Sequence, residues 1–128
     1  YYNRIVNLCF YLERNPDVKF IENLEKLMDD PNIKGYKTSE YNQTRWRIYG
    51  ANLELLLAVA AIRCGSMKGT ECLISYLEDI HSNFRYFSRN ELCSVYGKDG
   101  GYDRAAWRKL VKDKKSLKVS PLKKSIEV

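Results

Sequence analysis

Apolar residues recur along this chain at intervals of three and four, the spacing of one helix face. Ile5, Leu8, Cys9 and Leu12 mark a first helix over about 3–14. Asn15-Pro16-Asp17 reads as a stop and restart, with Asn15 as an N-cap and Pro16 suited to a first helical position. Val18, Ile21, Leu24 and Met28 give a second helix its apolar face, and Pro31 ends it. Residues 32–41 form a polar connector with Gly35 and Ser39.

The spacing predicts a third helix over about 43–63. Its second half, Leu53–Ile62, is apolar nearly all round, so other helices must surround it. Cys64-Gly65-Ser66 ends it. Cys72, Leu73, Tyr76, Leu77, Ile80 and Phe84 share one face of a fourth helix over about 70–86. Ser88-Arg89-Asn90-Glu91 matches a capping box, which would open a short fifth helix ending at Gly97. After the turn 98–101, Asp103 caps a sixth helix over about 104–115. The last stretch alternates loosely through Leu117, Val119, Leu122, Ile126 and Val128, as an edge strand, a hairpin or a frayed tail would. The expected fold is an all-α, compact bundle of five or six helices around a buried central helix. Residues 1–115 would form one helical domain and 116–128 a basic tail or short wing.

A chain of 128 residues suits one domain, and 45% hydrophobic with 30% charged residues is an ordinary globular composition. The longest apolar stretch, Leu53–Ile62, is too short to span a bilayer, so no membrane partner is expected. The opening Tyr1-Tyr2-Asn3-Arg4 has no apolar core of signal-peptide type. Cys9, Cys64, Cys72 and Cys93 contain no close pair of zinc-site type, and Cys9, Cys72 and Cys93 lie beside apolar residues on expected helical faces. They read as reduced, buried cysteines, with one disulfide in a secreted protein as the alternative. Asn42-Gln43-Thr44 fits a glycosylation triplet, which has no meaning in a cytosol. The expected location is cytoplasmic.

Charge changes the picture more. The net charge is +6, from 22 Lys and Arg against 16 Asp and Glu. Nine of the basic residues and only one acid, Asp113, lie between Arg104 and Lys124. That segment is +8 and the remaining chain is −2. Arg104, Arg108, Lys112 and Lys115 follow helical spacing and make a basic stripe, with Lys109 beside it. Ala106, Leu110 and Val111 would face inward, and Trp107 would sit near the boundary of the two faces. A basic stripe with an adjacent aromatic suits phosphate contact plus stacking. The plainer alternative is a solvated helix end whose lysines favour the dipole.

The last helices resemble a helix-turn-helix DNA reader. Ser88–Gly97 would be its second helix and Arg104–Lys115 its recognition helix, although the turn at 98–102 is long for the motif. Arg104 and Arg108 would approach the groove, while Lys112, Lys114, Lys115 and Lys118 would meet phosphate. Arg45-Trp46-Arg47, flanked by Tyr41 and Tyr49, makes a second basic and aromatic cluster. Its alternative role is to anchor the start of the central helix.

Catalytic chemistry is thin. His81 is the only histidine and reads as structural. Glu22, Glu25 and Asp29 share a helix face that would more often be solvated than metal-bound. Two acids near that helix's C-terminus oppose its dipole and ask for a basic partner. Gly97-Lys98-Asp99-Gly100-Gly101 lacks the ending of a phosphate-binding loop. No cofactor, metal or enzymatic activity is expected. The leading expectation is a nucleic-acid-binding protein, with DNA ahead of RNA. The second is a protein-interaction module, such as an adaptor, inhibitor or immunity-type factor, docking on an acidic partner.

Overall fold

The computed structural model describes residues 2–31, 33, 45–112 and 119–121, and for Tyr2 and residues 45–50 the backbone alone. Six α-helices and no strand occur among the described residues. They are α1 (Tyr2–Arg14), α2 (Ile21–Met28), α3 (Arg45–Cys64), α4 (Met67–Ser75), α5 (Ser82–Tyr96) and α6 (Arg104–Val111). The fold is an all-α bundle.

α3 is the central helix, as its all-round apolarity demands. From Leu53 to Ile62 every residue except half-buried Leu56 is buried. α3 packs against α1, α2, α4 and α5. Each fully buried leucine there contributes ~1.5–3 kcal/mol relative to exposure. The one acid in this stretch, Glu54, accepts a 2.5 Å hydrogen bond from the Tyr76 hydroxyl. Burial pushes the Tyr76 phenol well above its ordinary range, so it remains a neutral donor.

The turn into α4 is tight. Gly65 takes φ 106°, in the region that favours glycine. Ser66 then caps α4, its side chain accepting from the Gly69 N–H at 3.3 Å and donating to Glu25 of α2 at 2.6 Å. Gly69 sits where α4 crosses α3. A Cβ there would lie 2.7 Å from the Ala58 carbonyl oxygen and 2.8 Å from the Ile62 nitrogen.

Several boundaries differ from expectation. Asn15 is not an N-cap: its side-chain amide donates back to the Tyr11 carbonyl at 3.1 Å and closes α1. Asp17 is the cap, opening a 3-10 turn over Val18–Phe20 that leads into α2. The expected fourth helix is two helices. α4 stops at Ser75, whose hydroxyl bonds the Cys72 carbonyl at 2.6 Å and competes with the helix ladder. The Asp79 carboxylate then accepts from the His81 N–H at 2.9 Å, just before α5 begins.

The capping-box reading of Ser88 also fails. Ser88 is buried six residues inside α5, and Glu91 turns to Arg63 of α3 instead of capping. Gly97 does end α5, with φ 69° and a 2.8 Å bond from its N–H to the Cys93 carbonyl. Asp103 caps α6, accepting from Ala105 N–H at 2.9 Å. α6 spans Arg104–Val111 with Lys112 as its C-cap, and the rest of the expected span, 113–115, lies outside the described residues. Of the expected tail or wing, only 119–121 are described. There Ser120 donates its N–H to the Arg63 carbonyl at 2.9 Å.

Candidate functional site

α6 carries the start of the basic segment, and its docking decides which cations are free. Trp107 and Val111 point into the core. Trp107 is the main correction here: it is fully buried, not placed between the two faces. Its indole Nε1 donates to the Gly101 carbonyl at 2.7 Å, and its ring packs near Tyr96. Gly100 lies against the indole so closely that a Cβ would meet the ring at 2.9 Å. A side chain held this way cannot stack on a ligand.

Two arginines of the stripe face α4 and the turn after it. Arg104 donates from Nη2 to Glu78 Oε1 at 3.0 Å, and its backbone N–H reaches Glu78 Oε2 at 3.2 Å. These bonds hold the Glu78 carboxyl below the usual carboxylate range. Arg108 donates to Glu71 from Nε at 3.1 Å and from Nη2 at 2.8 Å. Helix α6 therefore docks through paired charge as well as through Trp107. Lys109 and Lys112 are exposed, and neither meets a carboxylate among the described residues.

Lys114, Lys115 and Lys118 lie outside the described residues. Arg45, Trp46 and Arg47 form the first turn of α3, and their side chains also lie outside them, as does Tyr41.

The exposed aromatics near α6 are Tyr86 and Tyr102. Their rings meet edge to face at 6.1 Å, and the Arg89 guanidinium lies 5.3 Å from the Tyr102 centroid. Arg89 also grips Asp99 through two hydrogen bonds, which hold that carboxyl far below its ordinary range. Sequence reading passed over this group because Tyr86 and Tyr102 are sixteen positions apart. Their meeting depends on the turn between α5 and α6.

A second feature, also unforeseen, lies between α1, α3 and α5. Val6 and Phe10, Leu55 and Leu56, and Phe84 and Phe87 line an open groove of about 460 Å³. The side-chain amides of Asn52 and Asn83 are its polar members. Phe10 and Phe87 remain 46% and 39% exposed, large values for phenylalanine.

Further along the same three helices is a buried charge cluster. Arg63, with a side chain only 3% exposed, bonds Glu91 through Nε at 2.7 Å and Ser94 through Nη2 at 3.1 Å. Its Nη1 lies 3.4 Å from both the Ser120 carbonyl and hydroxyl oxygens. Glu13 of α1 is buried beside this group, and its carboxyl is pushed up to about 7. Burial is the main cause, Glu91 adds to it, and Arg14 and Arg63 oppose it. Burial likewise pushes the Cys9 thiol up to about 12, which keeps it an unreactive thiol.

The remaining carboxylates of interest are engaged within the chain. Glu22 pairs with Lys26 at 3.3 Å, Glu25 accepts from Ser66, and Asp29 bonds Lys68. Lys68 is thus a basic partner for Asp29, one of the two acids at the C-terminal end of α2. His81 sits 3.2 Å from Asp79 and packs on the Phe84 ring. No group of His, Cys, Asp and Glu suited to a metal ion occurs among the described residues. No described helix is long and apolar enough to cross a membrane.

Comparison with protein-family models, with curated proteins and with solved structures found no match to this chain. The functional reading therefore rests on the residues themselves.

Proposed function

We propose that this protein is a non-enzymatic nucleic-acid-binding protein that works through the lysines of α6 and the segment after it. The observation that carries the reading is the concentration of charge: +8 between Arg104 and Lys124 against −2 elsewhere. Phosphate contacts release counterions, so a dense lysine segment gains affinity in proportion to the charges it presents. α6 supplies a fixed base for that segment. Trp107 and Val111 anchor it, and Arg104 and Arg108 dock it, while Lys109 and Lys112 face solvent. Lys114, Lys115 and Lys118 extend the same charge. Tyr102 takes over the stacking role first assigned to Trp107, since it is exposed and only two positions before Arg104.

Binding of a labelled DNA duplex across a salt series tests the proposal. Replacing Lys114, Lys115 and Lys118 together with glutamine should reduce the slope of log affinity against log salt by up to about three phosphates' worth, ~0.9 for each. A slope unchanged by the triple replacement rejects the assignment.

Docking on an acidic protein surface is the second reading. The exposed Tyr86, Tyr102 and Arg89 group favours it, because tyrosine and arginine are enriched at protein interfaces. Purified protein free of nucleic acid and indifferent to DNA and RNA at low salt would favour this reading over the first.

A further inference from the structure

We infer that the groove between α1, α3 and α5 is a self-association surface, and that a second copy of this chain fills it. The inference concerns a different face from the lysine segment and goes beyond nucleic-acid binding.

Charge is the first reason. A chain of +6 repels its own copies, so two copies approach best through a sector without charge. Among the described residues the groove is such a sector: its walls are apolar and its polar members, Asn52 and Asn83, are neutral amides. Exposed amides continue around it. Asn3 and Asn7 lie seven and three positions before Phe10, on the same side of α1, and Asn90 lies three positions after Phe87 on α5. Glu91, one turn beyond Phe87, is already held by Arg63. Arg14, one turn beyond Phe10, is the cation at the edge among the described residues, and it folds back on the Phe10 carbonyl at 3.4 Å.

Amides also match themselves. Each side-chain amide carries a donor and an acceptor, so an asparagine can pair with the same asparagine across a two-fold axis. Among the described residues, a strongly acidic or basic partner would find little opposite charge at this rim, and a copy would meet little repulsion there.

Shape is the second reason. A two-fold contact uses one patch on both partners, so that patch must hold a projection and a recess together. Phe10 and Phe87 project at the walls and the recess lies between them. Its 460 Å³ leaves room for the apolar side chains of a facing copy.

Sedimentation equilibrium of the full chain over a dilution series tests the inference. The mass should rise from 15.0 kDa toward twice that value as concentration increases. Phe10→Asp combined with Phe87→Asp should weaken association ~10- to 100-fold, as loss of central anchors does. Both side chains are substantially exposed, and circular dichroism checks that the variant stays folded. Asn52→Asp with Asn83→Asp, which puts like charges in the contact, should weaken it in the same direction and recover partly in salt. Val18→Asp, at a residue 58% exposed on another element, should change nothing. A constant 15.0 kDa mass at every concentration overturns the inference, including the case in which the chain's own residues cover the groove. So does a doubled mass that survives the double phenylalanine variant, or one that Val18→Asp abolishes equally.

Discussion

Glu13 shows how one residue can couple the fold to pH. Its carboxyl faces Arg63 and Glu91 from the neighbouring helices and Arg14 from its own, and burial raises it from an ordinary 4.5 to about 7. The folded protein thus keeps this proton where the unfolded chain has lost it. The associated stability is complete below about pH 4.5 and declines as pH rises to about 7, after which it stays level. The urea midpoint of the native chain should therefore carry a falling component between about pH 4.5 and about pH 7 that Glu13→Gln removes. Glu13→Gln should also exceed the native chain in stability at the upper pH, because an amide is not charged by deprotonation. Equal pH slopes for the two proteins would show that Glu13 is ionised throughout.

Elements built on local signals were legible in the sequence. The periodicity of Ile5, Leu8, Cys9 and Leu12 locates α1, the apolar run Leu53–Ile62 locates the buried centre of α3, and Gly97 and Asp103 mark the turn before α6. Elements that depend on distant partners were not. Cys72 to Phe84 keeps a helical apolar spacing across a chain that bends, because residues of α4 and α5 face the same core. Glu91 looked like a capping residue because its partner, Arg63, is 28 positions away. The lysine and arginine stripe was visible, but Glu71 and Glu78, which engage its arginines, belong to α4 and the turn after it. Gly69 gave no sequence signal at all, yet it sets how closely α4 approaches α3. Gly69→Ala improves helix propensity but places a methyl against α3 backbone. Overpacking of this kind costs about 1–3 kcal/mol, so the thermal midpoint should fall. A rise in midpoint would mean that α4 can move away from α3 freely.

At the scale of the molecule, the bulk charge of +6 is shaped by which arginines are already engaged. Glu71→Gln with Glu78→Gln would raise it to +8 and release Arg104 and Arg108 toward solvent. If the lysine segment binds nucleic acid, this variant should bind a DNA duplex more tightly at low salt. Its salt slope should steepen by up to about two phosphates' worth. Looser docking of α6 without any gain in affinity would place the nucleic-acid surface elsewhere.

The contact between Ser120 and Arg63 bears on the order in which this protein is made. Arg63 is made with the last turn of the helix that organises the core. Its backbone carbonyl receives the Ser120 N–H, and its side chain meets Ser120 oxygens, only after 57 further residues have been added. Until then the central helix lacks a terminal hydrogen bond and one side of a buried cation stays open. The packing around Arg63 therefore closes only after α6 and the residues that follow it have been made, well after the central helix itself.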